Sequence, residues 1–285
     1  MGALIEINTD GLAKFGETIC NATGLLAYGY KKMANVKIYE RIENSKVDTA
    51  IEIEKLNRED IVAKYNEIRN KHKFENTASI IQKAEQQFNE GEQVSSEPVD
   101  KDWLNRFLDY AEGVSEEEMQ NIWAKILAGE VKQPKSFSLR TLNVLRNMTK
   151  EDAELFVEVS KYVFGGQNIL NEKSIIQLES ILKLNDNGLV LLESLSYIVK
   201  LPSQGKISLK LTGDKQLYID SNEFVDKKVY ISIYALSKAG EELYKIVETN
   251  ISSEVIQFIA NKIKSEGNYV VNYVFKLNVS DLENK

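Results

Sequence analysis

Hydrophobic residues recur every three or four positions between Asp102 and Phe156, which is the spacing of one face of an α-helix. Both tryptophans lie on this stripe, so they are predicted to be core residues. Four amphipathic helices with short connections predict an antiparallel helical bundle. Their apolar positions are Trp103, Leu104, Phe107, Leu108 and Ala111; Met119, Ile122, Trp123, Ile126 and Leu127; Leu142, Leu145 and Met148; and Ala153, Phe156, Val157 and Val163.

Capping signals mark the helix boundaries in this stretch. Ser115 with Glu118 has the spacing of a capping box, in which two side chains satisfy free backbone N–H groups at a helix start. Thr149 with Asp152 has the same spacing. Gly129 is placed to end the second helix, because glycine readily adopts the left-handed conformation found after many helices.

The segment from about residue 31 to residue 90 is rich in charge, lacks proline and has only an intermittent apolar stripe. This pattern predicts a long solvated helix or a pair of helices. A thin charged helix gains stability mainly by burying its apolar stripe, so we expect this arm to pack against a second copy of itself. Residues 90–100 mix glycine, serine and proline and indicate a linker.

The pattern changes from helical to alternating in the last third of the chain. Helices are predicted at residues 175–182 and 189–197, and Ser237 is placed to cap another. Strands are predicted at residues 206–211, 217–219 and 228–233, and a last helix and strand at 252–264 and 269–277. Helices, a small antiparallel hairpin and a closing helix are the order of a winged-helix-like module.

The predicted fold class is therefore mainly α with a smaller α+β part. Residues 1–92 form an N-terminal amphipathic helix and a long charged helical arm, residues 93–167 form the central bundle, and residues 168–285 form the winged-helix-like module. A chain of 285 residues is long enough for such a division.

Candidate chemistry changes this picture little. Cys20 is the single cysteine and His72 the single histidine, so neither a cysteine-built zinc site nor a histidine-based triad is expected. The chain contains no Gly-rich phosphate loop, no HExxH and no GxSxG motif. We predict no catalytic, cofactor-binding or metal-binding residues, and hence a protein that is not an enzyme. A carboxylate-built metal site stays open at this point, because only a structure shows converging acids.

Three groups of residues carry a resemblance to a known family. They are the W-A-K-I-L-A-G-E run at 123–130, the S-F-S-x-R-T run at 136–141 and the D-A-E-L-F run at 152–156. Together they resemble a bacterial family catalogued as domain of unknown function 2806, and more loosely the abortive-infection alpha group. The resemblance implies a bacterial protein linked to phage resistance, and it implies no reaction.

Lysines of the predicted wing are the candidate contacts to a partner or to phosphate. They are Lys206, Lys210, Lys215, Lys227 and Lys228. They could contact a phosphate backbone without reading bases. The predicted recognition helix contains no arginine, and the net charge of −7 also disfavours nucleic acid. Protein or ligand recognition is therefore the favoured interpretation, and a winged-helix nucleic-acid-binding regulator is the alternative.

Residues 11–30 are moderately apolar and interrupted by Lys14 and Glu17. They predict an amphipathic helix that docks on another protomer or domain, and a helix that lies on a membrane surface is the alternative. The residues that would make either contact are Leu12, Phe15, Ile19, Leu25 and Leu26. We expect a cytoplasmic protein, with peripheral attachment to the inner membrane as the alternative.

The sequence thus predicts a non-enzymatic interaction protein without cofactors. It would act as a sensor or accessory component of bacterial anti-phage defence through protein–protein contacts and self-association. A membrane-acting abortive-infection effector that uses the N-terminal helix is a further alternative.

Overall fold

The computed structural model describes residues 8–23, 58–212, 215–224 and 226–275. Between Arg146 and Asn147 the chain divides into two compact units, here called the N-terminal and C-terminal units. The finer division at residues 92/93 and 167/168 stays a prediction.

The described part of the N-terminal unit is mainly helical. Two short strands, β1 and β2, pair antiparallel, with Asn8 opposite Ser95. The elements are β1 (Asn8–Asp10), α1 (Gly11–Thr23), α2 (Arg58–Glu85), β2 (Gln93–Ser95), α3 (Lys101–Ala111), α4 (Glu117–Lys132) and α5 (Leu139–Asn147). The helices predicted around residues 103–148 are confirmed as α3, α4 and α5.

Aromatic rings form the centre of this unit, as the apolar stripe predicts. Trp103 stacks on Phe107 with ring centroids 5.3 Å apart, and Phe107 meets Trp123 edge-on at 5.2 Å. Trp103 is 4% exposed and Trp123 is 1% exposed, which confirms both as core residues. Burying two tryptophans on facing helices contributes several kcal/mol, at roughly 25 cal/mol per Å² of apolar area.

The prediction of a long helical arm is wrong for the residues that the structure describes. Helix α2 packs along α4 and contacts α3 rather than standing apart, and Ile80 and Ile81 are buried in the unit. Ser79 Oγ donates to Gln120 Oε1 on α4 at 2.7 Å. The intermittent apolar stripe is sufficient to hold α2 in the unit, because only the second half of the helix is buried. The part of the predicted arm at residues 31–57 lies outside the described residues.

The helix caps agree with prediction at Thr149 and at Ser237, whose hydroxyl accepts the Gly240 N–H, and they differ at two other positions. Thr149 and Asp152 form the predicted capping box, and the bond from the Thr149 N–H lowers the pKa of the Asp152 carboxyl below its usual range. The cap of α4 is Glu116, whose carboxylate accepts from the Met119 N–H, rather than Ser115. Gly129 does not end α4, because the helix continues to Lys132.

The described part of the C-terminal unit combines two antiparallel sheets with four helices. One sheet has the strand order β3-β4-β8-β5, and the other has the order β6-β7-β9. The elements are α6 (Lys150–Ser160), β3 (Val163–Phe164), β4 (Asn168–Leu170), α7 (Leu178–Asp186), β5 (Val190–Leu201), β6 (Gln204–Thr212), β7 (Lys215–Asn222), β8 (Lys227–Leu236), α8 (Lys238–Tyr244), α9 (Ser253–Lys264) and β9 (Tyr269–Phe275).

The predicted fold class is wrong in this unit, because its core is built on two sheets rather than on a winged helix. The helix predicted at residues 189–197 is part of strand β5, which pairs antiparallel with β8. A short apolar run does not distinguish a buried helix from a strand, and pairing with a distant strand decided the outcome. The predicted strands are confirmed where the structure describes them, and residues 276–277 of the last one lie outside the described residues. The strand at 228–233 belongs to a different sheet from those at 206–211 and 217–219.

Residues from both sheets and from α9 share one hydrophobic core. Leu201 and Ile231 contribute from the first sheet, Leu217 and Ile219 from the second, and Val255 from α9. Ser252 caps α9 through a bond from the Glu254 N–H. The inner faces of both sheets are therefore occupied, and their outer faces and free edges are what can meet a partner.

Candidate functional site

The residues that carry the family resemblance build the turn between α4 and α5. Glu130, the last residue of the W-A-K-I-L-A-G-E run, is 1% exposed. Its carboxylate accepts the backbone N–H of Lys135 at 2.6 Å and the N–H of Phe137 at 2.9 Å. Lys135 has φ +68°, in the left-handed region, so the turn is held in a conformation that needs this support.

Phe137 connects this turn to the core. Its carbonyl oxygen accepts from Trp103 Nε1 at 2.7 Å, and its ring lies against Gly129, where a Cβ atom would come within 2.8 Å of the ring. Ser138 Oγ lies 3.1 Å from Oγ1 of the buried Thr141, the last residue of the S-F-S-x-R-T run. These motif residues therefore have structural roles.

The single histidine and the single cysteine lie in unrelated places. His72 is exposed on α2, and Cys20 is a half-buried free thiol on α1. Among the residues that the structure describes, no three His, Cys, Asp or Glu side chains are grouped so as to hold a metal ion. None of the helices within the described ranges is long and apolar enough to cross a membrane.

The five predicted lysines do not form one cluster. Lys206 pairs with Asp220 at 3.5 Å across β6 and β7, and Lys227 pairs with Glu223 at 3.5 Å. Lys215 Nζ donates to Asn250 Oδ1 at 2.8 Å. The other two, Lys210 on β6 and Lys228 on β8, belong to different sheets.

Helix α1 turns its apolar side into its own unit. Phe15 and Ile19 are each 1% exposed, and the Phe15 ring lies 5.2 Å from that of Phe88. Lys14 is also buried, and its Nζ donates to the Ser95 carbonyl at 2.7 Å. Desolvation lowers the pKa of Lys14. Leu12 is half-buried, and the predicted contacts Leu25 and Leu26 lie outside the described residues.

Strands β5 and β8 expose an apolar face, here called the outer face. Ile198 on β5 lies directly opposite Tyr230 on β8, and these side chains are 45% and 54% exposed. Lys200 lies opposite Lys228 at one end of this face, and neither lysine forms an ion pair with a described residue. Like charges placed opposite one another on a sheet are unfavourable unless an anion lies nearby.

At the other end of the outer face, β5 is irregular. Its register with β8 shifts between Leu191 and Leu195, where the strand carries extra residues. Leu191, Leu192 and Leu195 are each at least 40% exposed there, and the exposed Glu193 lies among them. Leu191 and Leu195 lie opposite Ala235 and Ile233, so their side chains belong to the inner side of this sheet.

Glu193 lies in the irregular stretch beside Tyr234, which alternates with Tyr230 on β8 and so belongs to the outer face. The outer face therefore has Glu193 near its irregular end and Lys200 with Lys228 at its other end. An exposed apolar patch of this kind is typical of an interaction site.

A groove of about 820 Å³ is the second surface feature of the C-terminal unit. Strand β6 forms one side, the turn Gly165–Gln167 forms one end, and Tyr197 and Tyr244 contribute aromatic side chains. Lys210 and Lys245 add two positive charges. Lys210 is the one predicted contact that lines this groove.

Fold and surfaces together define a protein with a helical N-terminal unit and a β-rich C-terminal unit. Residues 62–177 match the model of a family described as Protein of unknown function (DUF2806). The match begins within α2 and includes the turn between α4 and α5, and it supports the resemblance predicted from the motif residues. Comparison with curated proteins and with solved structures gave no match.

Sequence reasoning missed Ile198, Tyr230 and Lys245 as candidate contacts. Ile198 directly follows residues 189–197, which were predicted to be a helix, so the sequence did not indicate that its side chain would be exposed on a strand. The alternation in residues 196–200, polar at Ser196 and Lys200 around an apolar centre, was the available sign of a strand. Lys245 has no sequence signal, because only folding places it beside β6.

Proposed function

We propose that this protein is a non-enzymatic interaction protein that self-associates through the outer face of β5 and β8. The observation that carries the proposal is the exposed pair Ile198 and Tyr230 on an open sheet face. Water-exposed apolar side chains on neighbouring strands gain free energy when a second surface covers them.

A second copy of the chain fits this face because the face is self-complementary in charge. A two-fold axis through its centre would place the basic end, with Lys200 and Lys228, over the acidic end, with Glu193, of the other copy. Two-fold interfaces use the same patch on both subunits, so such an arrangement satisfies both ends at once. The face spans two strands only, so we expect a Kd on the order of micromolar.

Replacing Ile198 with aspartate should weaken self-association at least about tenfold, because it buries a charge at the centre of the interface. Sedimentation equilibrium over a range of protein concentrations measures this change. Val270→Asp is the matched control, since Val270 is 60% exposed on β9 of the other sheet. Equal association of wild type and Ile198→Asp would contradict the proposal, and so would an equal loss in Val270→Asp.

Charge reversal tests the proposed orientation. Glu193→Lys should weaken the dimer, and combining it with Lys200→Glu and Lys228→Glu should restore the dimer, since the ends then carry exchanged charges. Failure of the triple variant to recover association would exclude the two-fold arrangement.

The resemblance of the motif residues to the abortive-infection alpha group supports a role of this interaction protein in phage defence, as a sensor or accessory component. This part of the proposal rests on family analogy. Bacteria that express the wild-type chain should show fewer plaques than bacteria with an empty vector when challenged with a phage panel. The Ile198→Asp variant should lose the difference, and Val270→Asp should keep it. Equal plaque counts for wild type and empty vector across the panel would contradict the defence role but not the self-association.

A further inference from the structure

The groove in the C-terminal unit follows the free edge of strand β6. Five consecutive residues of β6, Ser208 to Thr212, line it. Successive residues of a strand point to opposite faces of the sheet, so a groove over one face would be lined by every second residue. A lining by consecutive residues places the groove along the edge of the strand.

This edge offers backbone hydrogen-bonding groups. Strand β6 is an outer strand of the sheet β6-β7-β9, so part of its N–H and C=O groups point away from β7. One of them, the Leu211 carbonyl, accepts from the Gly165 N–H. That hydrogen bond occupies the edge of β6 at Leu211. The residues of β6 before Leu211 lie beside the groove. An extended chain can pair with such an edge as an additional strand.

The charges beside the edge favour an acidic occupant. Lys210 and Lys245 are both exposed, and neither forms an ion pair with a described residue. Glu241 also lines the groove, but its carboxylate lies 3.9 Å from Lys238, which does not line it. The groove therefore has positive charge available for a carboxylate.

The other walls of the groove can contact the side chains of a bound segment, whereas the β6 edge can pair with its backbone. The Tyr197 ring packs edge-on against Phe164 at 5.3 Å, and Tyr244 Oη lies 3.1 Å from Thr212 Oγ1, so both rings are held in place. Gly166 has φ +84° and open space where a Cβ would lie, which leaves the end of the groove unobstructed. Fixed aromatic walls reduce the entropy that binding costs.

We propose that this groove binds an extended, acidic segment of a partner protein, which adds to β6 as a further strand. Its backbone pairs with the free edge of β6, and its carboxylates lie against Lys210 and Lys245. The site is separate from the outer face of β5 and β8, so it does not depend on self-association.

Fluorescence anisotropy with a labelled octapeptide of alternating glutamate and valine tests the site in the full-length protein. We expect saturable binding that weakens as salt is added, and no comparable binding of the octapeptide with lysine in place of glutamate. Lys210→Glu and Lys245→Glu should each weaken binding roughly tenfold, because each removes an attraction and adds a repulsion. Lys264→Glu, an exposed charge reversal on α9 outside the groove, should have no effect.

The pairing with the strand edge has its own control. Alternate N–H groups of an extended chain point to opposite edges, so the octapeptide is made in two forms, N-methylated at its valines or at its glutamates. Both forms keep their charge, and the form that loses its donors toward β6 should bind roughly tenfold more weakly. Unchanged binding of both methylated peptides would overturn strand addition, and equal loss in Lys210→Glu and Lys264→Glu would overturn the assigned lysines. Lysine-dependent binding of ATP without binding of the octapeptide would assign a small-anion site instead and overturn the proposal.

Discussion

Gly240→Ala is expected to destabilise the C-terminal unit by about 3 kcal/mol or more, because the new methyl group has no space. A Cβ atom on Gly240 would lie 2.1 Å from the carbonyl oxygen of Leu189 and 3.3 Å from the Cβ of Leu236. The Leu189 carbonyl cannot easily move away, since it accepts the Ser237 N–H at 2.9 Å at the start of α8. The new methyl group therefore clashes with a backbone carbonyl group, which cannot rotate away as a flexible side chain could.

Urea denaturation followed by circular dichroism measures this loss. Gly16→Ala is the control, because Gly16 lies inside α1 and, apart from its chain neighbours and the backbone of its own helix, no atom lies within 4 Å of the added Cβ. That change should stabilise its helix by about 0.5–1 kcal/mol. A Gly240→Ala protein as stable as the wild type would show that the close packing of α8 on Leu189 is wrong.

Glu130→Ala is expected to destabilise the N-terminal unit by about 3–5 kcal/mol, since hydrogen bonds to a charged group contribute about 1.5–3 kcal/mol each. The substitution leaves the N–H groups of Lys135 and Phe137 without their acceptor in a turn that is otherwise packed. Phe137 would then be free to leave Gly129 and the Trp103 side chain, so the loss extends into the core.

Tryptophan fluorescence reports on this variant, because Trp103 and Trp123 both lie in the N-terminal unit. The urea midpoint from fluorescence should fall for Glu130→Ala. Glu130→Gln is the isosteric control and should lose less, since its amide oxygen still accepts one of the two N–H groups. Identical midpoints for the alanine and glutamine variants would mean that the two hydrogen bonds do not hold the turn.

Glu130 and Gly240 lie in different units of the chain. Glu130 belongs to the runs that carry the family resemblance, and its contacts explain that pattern as the closure of the α4–α5 turn. Gly240 lies outside the residues that match the family model, in the unit that carries both proposed interaction surfaces. Stability of the N-terminal unit and binding by the C-terminal unit can therefore be tested by separate substitutions.

Local patterns predicted much of the helical part. The stripe through Trp103 and Trp123 predicted buried helices, and Thr149 with Asp152 predicted a cap that the structure contains. These features depend on residues three or four positions apart, which a helix brings together without help from the rest of the chain. The cap at Ser115 was wrong by one residue because the Glu116 carboxylate accepts the Met119 N–H, so the helix starts one position later than Ser115 with Glu118 predicted.

Strand pairing and surface exposure were decided by contacts between segments that are distant in the chain. A helix was predicted at residues 189–197, yet β5 pairs with β8, from Val190 with Leu236, 46 positions apart, to Leu201 with Lys227, 26 positions apart. Such contacts depend on which segments meet, and no local spacing encodes them. The same pairing exposes Ile198 beside Tyr230, and the folding of α8 places Lys245 near β6.

The amino-acid sequence alone therefore established the helices of the N-terminal unit, their buried stripe, most strands of the C-terminal unit and the family resemblance. Tertiary structure decided that those strands form two sheets instead of a wing, and that one predicted lysine, Lys210, lies in a groove while the others do not. The physical reason is range: helix periodicity and capping act within one or two turns, whereas a sheet and its free edge exist only once distant segments have paired.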